Sequence, residues 1–251
     1  MYIYKYKPLI CANFKMHGTL NIFSSFLSDI SSEFTNINID LIIFSSYISL
    51  PFTRFFFNNR DVKWGGQDFS LKRAGAFTGE TSTLMLKDIG CSYVIIGHSE
   101  RRKEFSESNE VVRNKVLLAL ESNLIPIVCI GESLKDYKDG YTKNVLKYQL
   151  KASLPVECNS NIIIAYEPIW AIGSGYFPTV KEIYDVHCFL KDCLIDLYGL
   201  DHFPLLYGGS ITSKNINTFL NIKNVDGVLI GSSTLNSVCF LDIIRNIKLI
   251  V

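Results

Sequence analysis

A carboxylate at the end of an apolar strand, followed by a proline and several small residues, is suited to accept a proton beneath a closing loop. Glu167 has that setting in the run Ala165 to Gly175, AYEPIWAIGSG. The preceding Ile162-Ile163-Ile164-Ala165 reads as a strand buried on both faces that ends where Pro168 appears. Partial desolvation there is expected to raise the carboxyl pKa toward the range useful for proton abstraction, and a loop closing over it would exclude water. For an isolated glutamate, a helix cap or loop residue is the plainer reading, so the rest of the chain decides.

Other polar groups stand at similar points. Short apolar runs recur at Leu9 to Asn13, Leu41 to Phe44, Val62 to Gly65, Tyr93 to Gly97, Ile125 to Ile130, Ile162 to Tyr166, Pro204 to Tyr207 and Gly227 to Ile230. Each precedes a helical pattern: Ile22 to Ser32, Pro51 to Asn58, Thr83 to Asp88, Val111 to Glu121, Val145 to Leu154, Val180 to Tyr198, Asn215 to Leu220 and Val238 to Ile247. Eight strand–helix units in 251 residues predict one α/β domain over residues 1–251, a (β/α)8 TIM barrel, with a doubly wound open sheet as the alternative. Active sites of such barrels lie at the carboxyl ends of the strands. Six of the eight ends carry polar or glycine-rich clusters: Asn13 and Lys15, His98 and Glu100, Cys129 and Glu132, Glu167, Gly208-Gly209-Ser210, and Gly231-Ser232.

Composition narrows the partners. With 25 basic and 24 acidic residues and no long run of one sign, nothing points to nucleic acid or to a membrane surface. Met1 to Pro8 lacks the apolar core of a signal peptide. The seven cysteines have no paired spacing, which predicts reduced thiols and no metal site; Cys188 and Cys193 are five apart in a helical pattern, off the face two ligands would share. The expected compartment is the cytoplasm, with an organellar form whose leader is absent from the sequence as the alternative.

Seven collinear strings resemble triosephosphate isomerase: ANFKMHG at Ala12, GAFTGE at Gly75, VIIGHSERR at Val94, CIGE at Cys129, AYEPIWAIGSG at Ala165, YGGS at Tyr207 and DGVLIGSSTL at Asp226. The resemblance covers nearly the whole chain. It implies interconversion of dihydroxyacetone phosphate and glyceraldehyde 3-phosphate through an enediolate, without metal or cofactor, by a homodimer. By resemblance Glu167 is the base, His98 a neutral electrophile at a helix start, and Lys15 and Asn13 stabilise the developing charge. Glu100 and Cys129 support Lys15 and Glu167. Gly173, Ser210, Gly231 and Ser232 offer backbone N–H groups to the phosphate. The lid is Pro168-Ile169-Trp170-Ala171-Ile172-Gly173-Ser174-Gly175-Tyr176-Phe177-Pro178, and Thr78 and Glu80 lie in a long loop that enters a partner subunit.

The chain departs from the family at several places. Phe14, His17 and Asp68 stand where Trp, Asn and Asn are usual, and Ser232-Ser233 where Gly-Ala is typical, which predicts weaker phosphate binding if position 232 needs a glycine-only conformation. Tyr176-Phe177-Pro178 replaces Lys-Thr-Ala at the far hinge. In relatives with YGGS, the tyrosine, here Tyr207, bonds the closed lid through the backbone N–H at the position of Pro178, and proline has none. A barrel that binds a phosphorylated sugar without turnover, and another phosphate-handling barrel enzyme, are the competing readings.

Overall fold

Near-continuous runs of β-branched and apolar residues form eight parallel strands: β1 (Leu9–Asn13), β2 (Asp40–Ser45), β3 (Val62–Gly66), β4 (Tyr93–Ile96), β5 (Ile125–Ile130), β6 (Ile163–Tyr166), β7 (Leu205–Tyr207) and β8 (Gly227–Ile230). In the computed structural model, which describes residues 7–33, 38–58, 61–157, 161–172, 176–199 and 203–247, each strand pairs with its sequence neighbours. β8 closes on β1 with Leu9 opposite Gly227 and Ala12 opposite Ile230, so the sheet is a closed barrel rather than the open alternative.

Strand periodicity sorts side chains to two faces. One set fills the barrel: Cys11, Ile42, Phe44, Ile95, Ile127, Cys129, Ile163, Ala165, Leu206 and Leu229. Its neighbours, among them Ile10, Ala12, Val94, Ile96, Val128, Ile130, Ile164, Val228 and Ile230, pack outward against the helices. Extending the inward register by one step of two reaches Asn13, Gly131, Glu167, Gly208 and Gly231. The polar residues of the strand ends are thus carried into the barrel mouth by the same alternation that builds the core.

The helices are α1 (Leu20–Glu33), α2 (Leu50–Phe57), α3 (Thr83–Asp88), α4 (Ser99–Glu104), α5 (Asn109–Glu121), α6 (Leu134–Lys138), α7 (Thr142–Ser153), α8 (Val180–Tyr198), α9 (Ile216–Leu220) and α10 (Ser237–Arg245). On α1 the buried Phe23, Phe26, Leu27 and Ile30 follow the spacing of one helical face. Single turns of 3-10 helix lie at Tyr47–Ser49, Ile169–Ala171 and Ser232–Leu235.

Several sequence boundaries are corrected. Gly97 lies beyond β4, because its φ of +66° turns the chain out of the strand. Ile162 and Pro204 precede their strands, although the Pro204 carbonyl still accepts the Ile164 N–H at 3.0 Å. Five-residue α6 and the three 3-10 turns are too short to show a helical period in sequence. α5 and α7 begin two and three residues earlier than expected, α5 behind a Ser108 cap whose hydroxyl accepts from the Val111 N–H. Among the described residues no helix is long and apolar enough to cross a membrane, and no His/Cys/Asp/Glu group could hold a metal.

Candidate active site

At the carboxyl end of the barrel, a cleft of about 260 Å³ is lined by Asn13, Lys15, His98, Glu100, Glu167, Ser210, Gly231 and Ser232 among others. That volume lies just below the range for drug-sized ligands and suits a small metabolite.

Glu167 follows β6 and is 3% exposed. Its Oε1 lies 3.1 Å from His98 Nε2, and its Oε2 accepts the Ser99 backbone N–H at 3.2 Å. Gly208 makes room for this side chain, since a Cβ there would lie 2.8 Å from Glu167 Cγ. His98 caps α4, its Nδ1 accepting the Glu100 backbone N–H at 3.3 Å, which assigns the ring proton to Nε2, the nitrogen facing Glu167.

The expected pKa directions at this pair are reversed. Burial raises the Glu167 carboxyl, as the sequence suggested, and lowers the His98 imidazole, but their mutual contact outweighs burial. Glu167 is held below the ordinary glutamate value, helped by the Ser99 N–H and Lys15, and His98 is held above the ordinary histidine value. The helix start therefore does not set the sign at His98 by itself. Cys129 lies buried beside Glu167, and its thiol is pushed well up by burial and by that carboxylate.

Lys15 adopts a left-handed backbone conformation, φ +49°, which costs a non-glycine residue on the order of 1 kcal/mol. An Asx turn holds it there: the Lys15 N–H donates to Asn13 Oδ1 at 3.0 Å. Gln67 Nε2 donates to the same oxygen at 3.3 Å, so the Asn13 amide nitrogen is left to face the cleft as a donor. Lys15 Nζ pairs with Glu100 Oε1 at 2.6 Å, in a half-exposed setting. A Cβ on Gly231 would lie 2.9 Å from Lys15 Cε, so the loop after β8 lies directly against the ammonium stem.

Ser210 and Ser232 line the same cleft, after β7 and β8. Ser232 is not among the described non-glycine residues with positive φ, so the concern that position 232 needs a glycine-only conformation does not arise. Ser233 instead adds a tie between the two loops, its hydroxyl donating to the Ile211 carbonyl at 2.7 Å. Gly173, Ser174 and Gly175 lie outside the described residues. In the rest of the segment expected to form the lid, Pro168, Ala171 and Pro178 are buried and Tyr176 and Phe177 are exposed. The Tyr207 hydroxyl is buried with no hydrogen-bond partner among the described residues.

Lys115 and Glu107 escaped sequence reasoning, and Glu132 was read only as a polar residue at the end of the fifth strand. Glu132, buried, accepts from Trp170 Nε1 at 2.7 Å and from the Tyr166 hydroxyl at 3.1 Å, and burial raises its carboxyl. Lys115 and Glu107 join Asp68 and Arg101 in a buried network: Lys115 Nζ lies 2.5 Å from Asp68 Oδ1 and 2.6 Å from Glu107 Oε1, while Arg101 reaches Asp68 at 2.8 Å and Glu107 at 2.7 Å. That network anchors α4 and hence His98. A lysine in an amphipathic helix gave no sign of burial. Thr78 and Glu80 lie away from the cleft, in a stretch exposed from Leu71 to Glu80.

Residues 8–247 match the family model described as Triosephosphate isomerase. The chain is 41% identical to the triosephosphate isomerase of Dehalococcoides mccartyi over 96% of its length and 97% of that protein, and 38% identical to that of Buchnera aphidicola over 95% and 97%. The crystal structure of triosephosphate isomerase from Bartonella henselae superposes with a TM-score of 0.88 at 34% identity, covering 96% of this chain and 98% of that one. A closed parallel barrel, a mouth that gathers the paired carboxylate and imidazole beside a lysine, and likeness over nearly the full length agree: the chain belongs to the triosephosphate isomerase family, aldose–ketose isomerases that interconvert dihydroxyacetone phosphate and glyceraldehyde 3-phosphate.

Proposed function

We propose that this chain moves a proton between C1 and C2 of a triose phosphate through an enediolate, with Glu167 as the base and His98 as the electrophile. The observation that carries the reading is the buried 3.1 Å contact between Glu167 and His98 in a cleft shared with Lys15 and Asn13. Because Glu167 is held ionised, it can take a C1 proton from dihydroxyacetone phosphate. Both its oxygens are occupied at rest, so abstraction exchanges the contacts to His98 and Ser99 for one to substrate. The Nε2 proton of His98, the Asn13 amide and the Lys15 ammonium then face the enediolate oxygens, and the carboxylic acid returns its proton to C2. No net redox change occurs, so the proton transfer asks nothing of a redox cofactor.

Phosphate would be gripped by backbone N–H groups at Ser210, Gly231 and Ser232, joined by Gly173, with Lys15 balancing the charge. Glu100 orients Lys15, and Cys129 packs beside the base. The exposed stretch bearing Thr78 and Glu80, with Phe77 43% and Met16 97% exposed, supports a homodimer in which this loop enters the neighbouring subunit. The barrel and the matched span support a single domain.

A coupled assay starting from glyceraldehyde 3-phosphate tests the reading. Wild-type turnover is expected, and Glu167→Asp, which withdraws the carboxylate by about one methylene, should reduce kcat on the order of 100-fold with folding intact. A folded wild-type protein that binds the substrate without converting it would defeat the proposal.

A further inference from the structure

Two contacts meet on the indole of Trp170, three residues after Glu167. Its N–H donates to Glu132 Oε1 at 2.7 Å, and its ring stacks on Tyr137 with centroids 4.1 Å apart and planes inclined by 21°. Tyr137 belongs to α6, otherwise a polar turn of the chain, LKDYK. Its hydroxyl donates to Glu182 Oε1 at 2.5 Å. The second oxygen of Glu182 accepts the backbone N–H and the hydroxyl of Thr179, both at 2.7 Å, closing the capping box that starts α8. Burial raises the Glu182 carboxyl, but the donors Tyr137 and Thr179 outweigh it and hold the group below the ordinary glutamate value.

Thr179 directly follows Pro178. One side chain therefore touches both flanks of the segment 168–178: the ring holds the near flank at Trp170, and the hydroxyl holds the far flank at the start of α8. We propose that Tyr137 is a positioning residue that fixes the two flanks of the lid relative to each other and so places Glu167. The inference rests on the isomerase reading and adds a residue outside the cleft to it. Removing the bridge frees the flanks to move separately, which misplaces a carboxylate only three residues away and lets water reach the enediolate. An exposed enediolate phosphate has a competing fate: its electron pair expels inorganic phosphate by breaking the C3–O bond, and the remaining enol tautomerises to methylglyoxal.

The test compares Tyr137→Phe, which keeps the stack and removes the hydroxyl, with Tyr137→Leu, which removes both. Turnover of glyceraldehyde 3-phosphate, release of inorganic phosphate, melting temperature and tryptophan emission are measured for each. The expected kcat losses are about 3-fold for Phe and on the order of 10-fold for Leu, with KM within about 2-fold of wild type, because Ser210, Gly231 and Ser232 bind phosphate from loops that the bridge does not touch. The fraction of turnovers that release phosphate should rise in the same order. Emission should change in the Leu variant, since Trp170 is one of only two tryptophans.

A Phe variant that matches wild type in both kcat and phosphate release overturns the bridge to Glu182. A Leu variant that folds and keeps wild-type kcat overturns the positioning role altogether. If Leu does not fold, the Phe variant decides alone. Inactive wild-type protein would defeat the isomerase reading, while the emission and melting comparison would still report whether Tyr137 holds Trp170.

Discussion

Glu167 Oε1 and His98 Nε2 face each other at 3.1 Å across the barrel mouth, both side chains nearly buried, and each holds the other's proton affinity away from what burial alone would give. Replacing His98 with Gln removes the largest influence that keeps Glu167 low. The Glu167 carboxyl should then titrate at higher pH than in wild type, followed by its carboxyl carbon NMR signal and assigned by difference against Glu167→Gln. A downward or absent shift would show that Ser99 and Lys15, rather than His98, set its ionisation.

The far hinge gives a second prediction. Pro178 offers no N–H, and the buried Tyr207 hydroxyl has no partner among the described residues. Tyr207→Phe should therefore be neutral or raise stability by about 1 kcal/mol, because an unpaired buried hydroxyl is removed. Pro178→Ala restores a donor and should improve turnover or reduce methylglyoxal release. A marked loss of stability in Tyr207→Phe, or no effect of Pro178→Ala on either product, would show that the hinge has another latch.

The buried charge network predicts a large asymmetry. Lys115→Met leaves Asp68 and Glu107 facing each other with only Arg101 between them, and should cost about 3–5 kcal/mol in thermal or urea unfolding. Asp68→Asn should cost much less, since Lys115 keeps Glu107. Equal effects would mean that the network is not arranged around the lysine.

His187 gives a pH prediction with a definite sign. It lies fully buried on α8, Nδ1 bonded to the Asn224 carbonyl at 2.9 Å, and burial lowers its pKa to about 4 despite that bond. Below about pH 6.5 the unfolded chain takes up a proton that the folded protein refuses. Stability should thus be full above that pH and fall by about 3 kcal/mol as pH drops toward 4. His187→Gln should flatten this part of the melting-temperature profile. An unchanged slope would remove His187 as its source.

Assembly is checked by dilution. If the loop bearing Thr78 and Glu80 seats in a neighbouring subunit, activity and the sedimenting dimer should fall together as concentration drops. A fully active monomer at assay concentration would exclude that arrangement.

What sequence conveyed best was the geometry that strands impose. Cys11 and Asn13, or Ala165 and Glu167, are two residues apart, so a buried inward residue fixes where the next polar one points. Motif strings then supplied Lys15 and His98. The sign of the Glu167 and His98 shifts needed a distance across the mouth between residues 69 apart in sequence, which no local pattern encodes. Tyr137 was missed for the same reason, because α6 spans too few residues to show a period, and Glu132 was seen as a strand-end carboxylate without its partner Trp170, 38 residues away. Asp68 stood out in sequence only as a replacement for Asn, yet it is half of the pairing that holds Lys115 and Arg101.

The seam between β1 and β8 also bears on synthesis. The Thr234 hydroxyl donates to the Asn13 carbonyl at 3.2 Å across 221 residues of chain, beside the Leu9 to Gly227 pairing that closes the sheet. At ribosomal speeds of roughly 5–20 residues per second, on the order of ten to forty seconds separate the emergence of Asn13 from that of Thr234. During that interval β1 has an unpaired edge, and Lys15 lacks the Gly231 loop that lies against it. The nascent chain thus has to be kept from pairing with its neighbours until β8 arrives, and losing β8 or the turn bearing Thr234 should be far more damaging than their distance from Glu167 in sequence suggests.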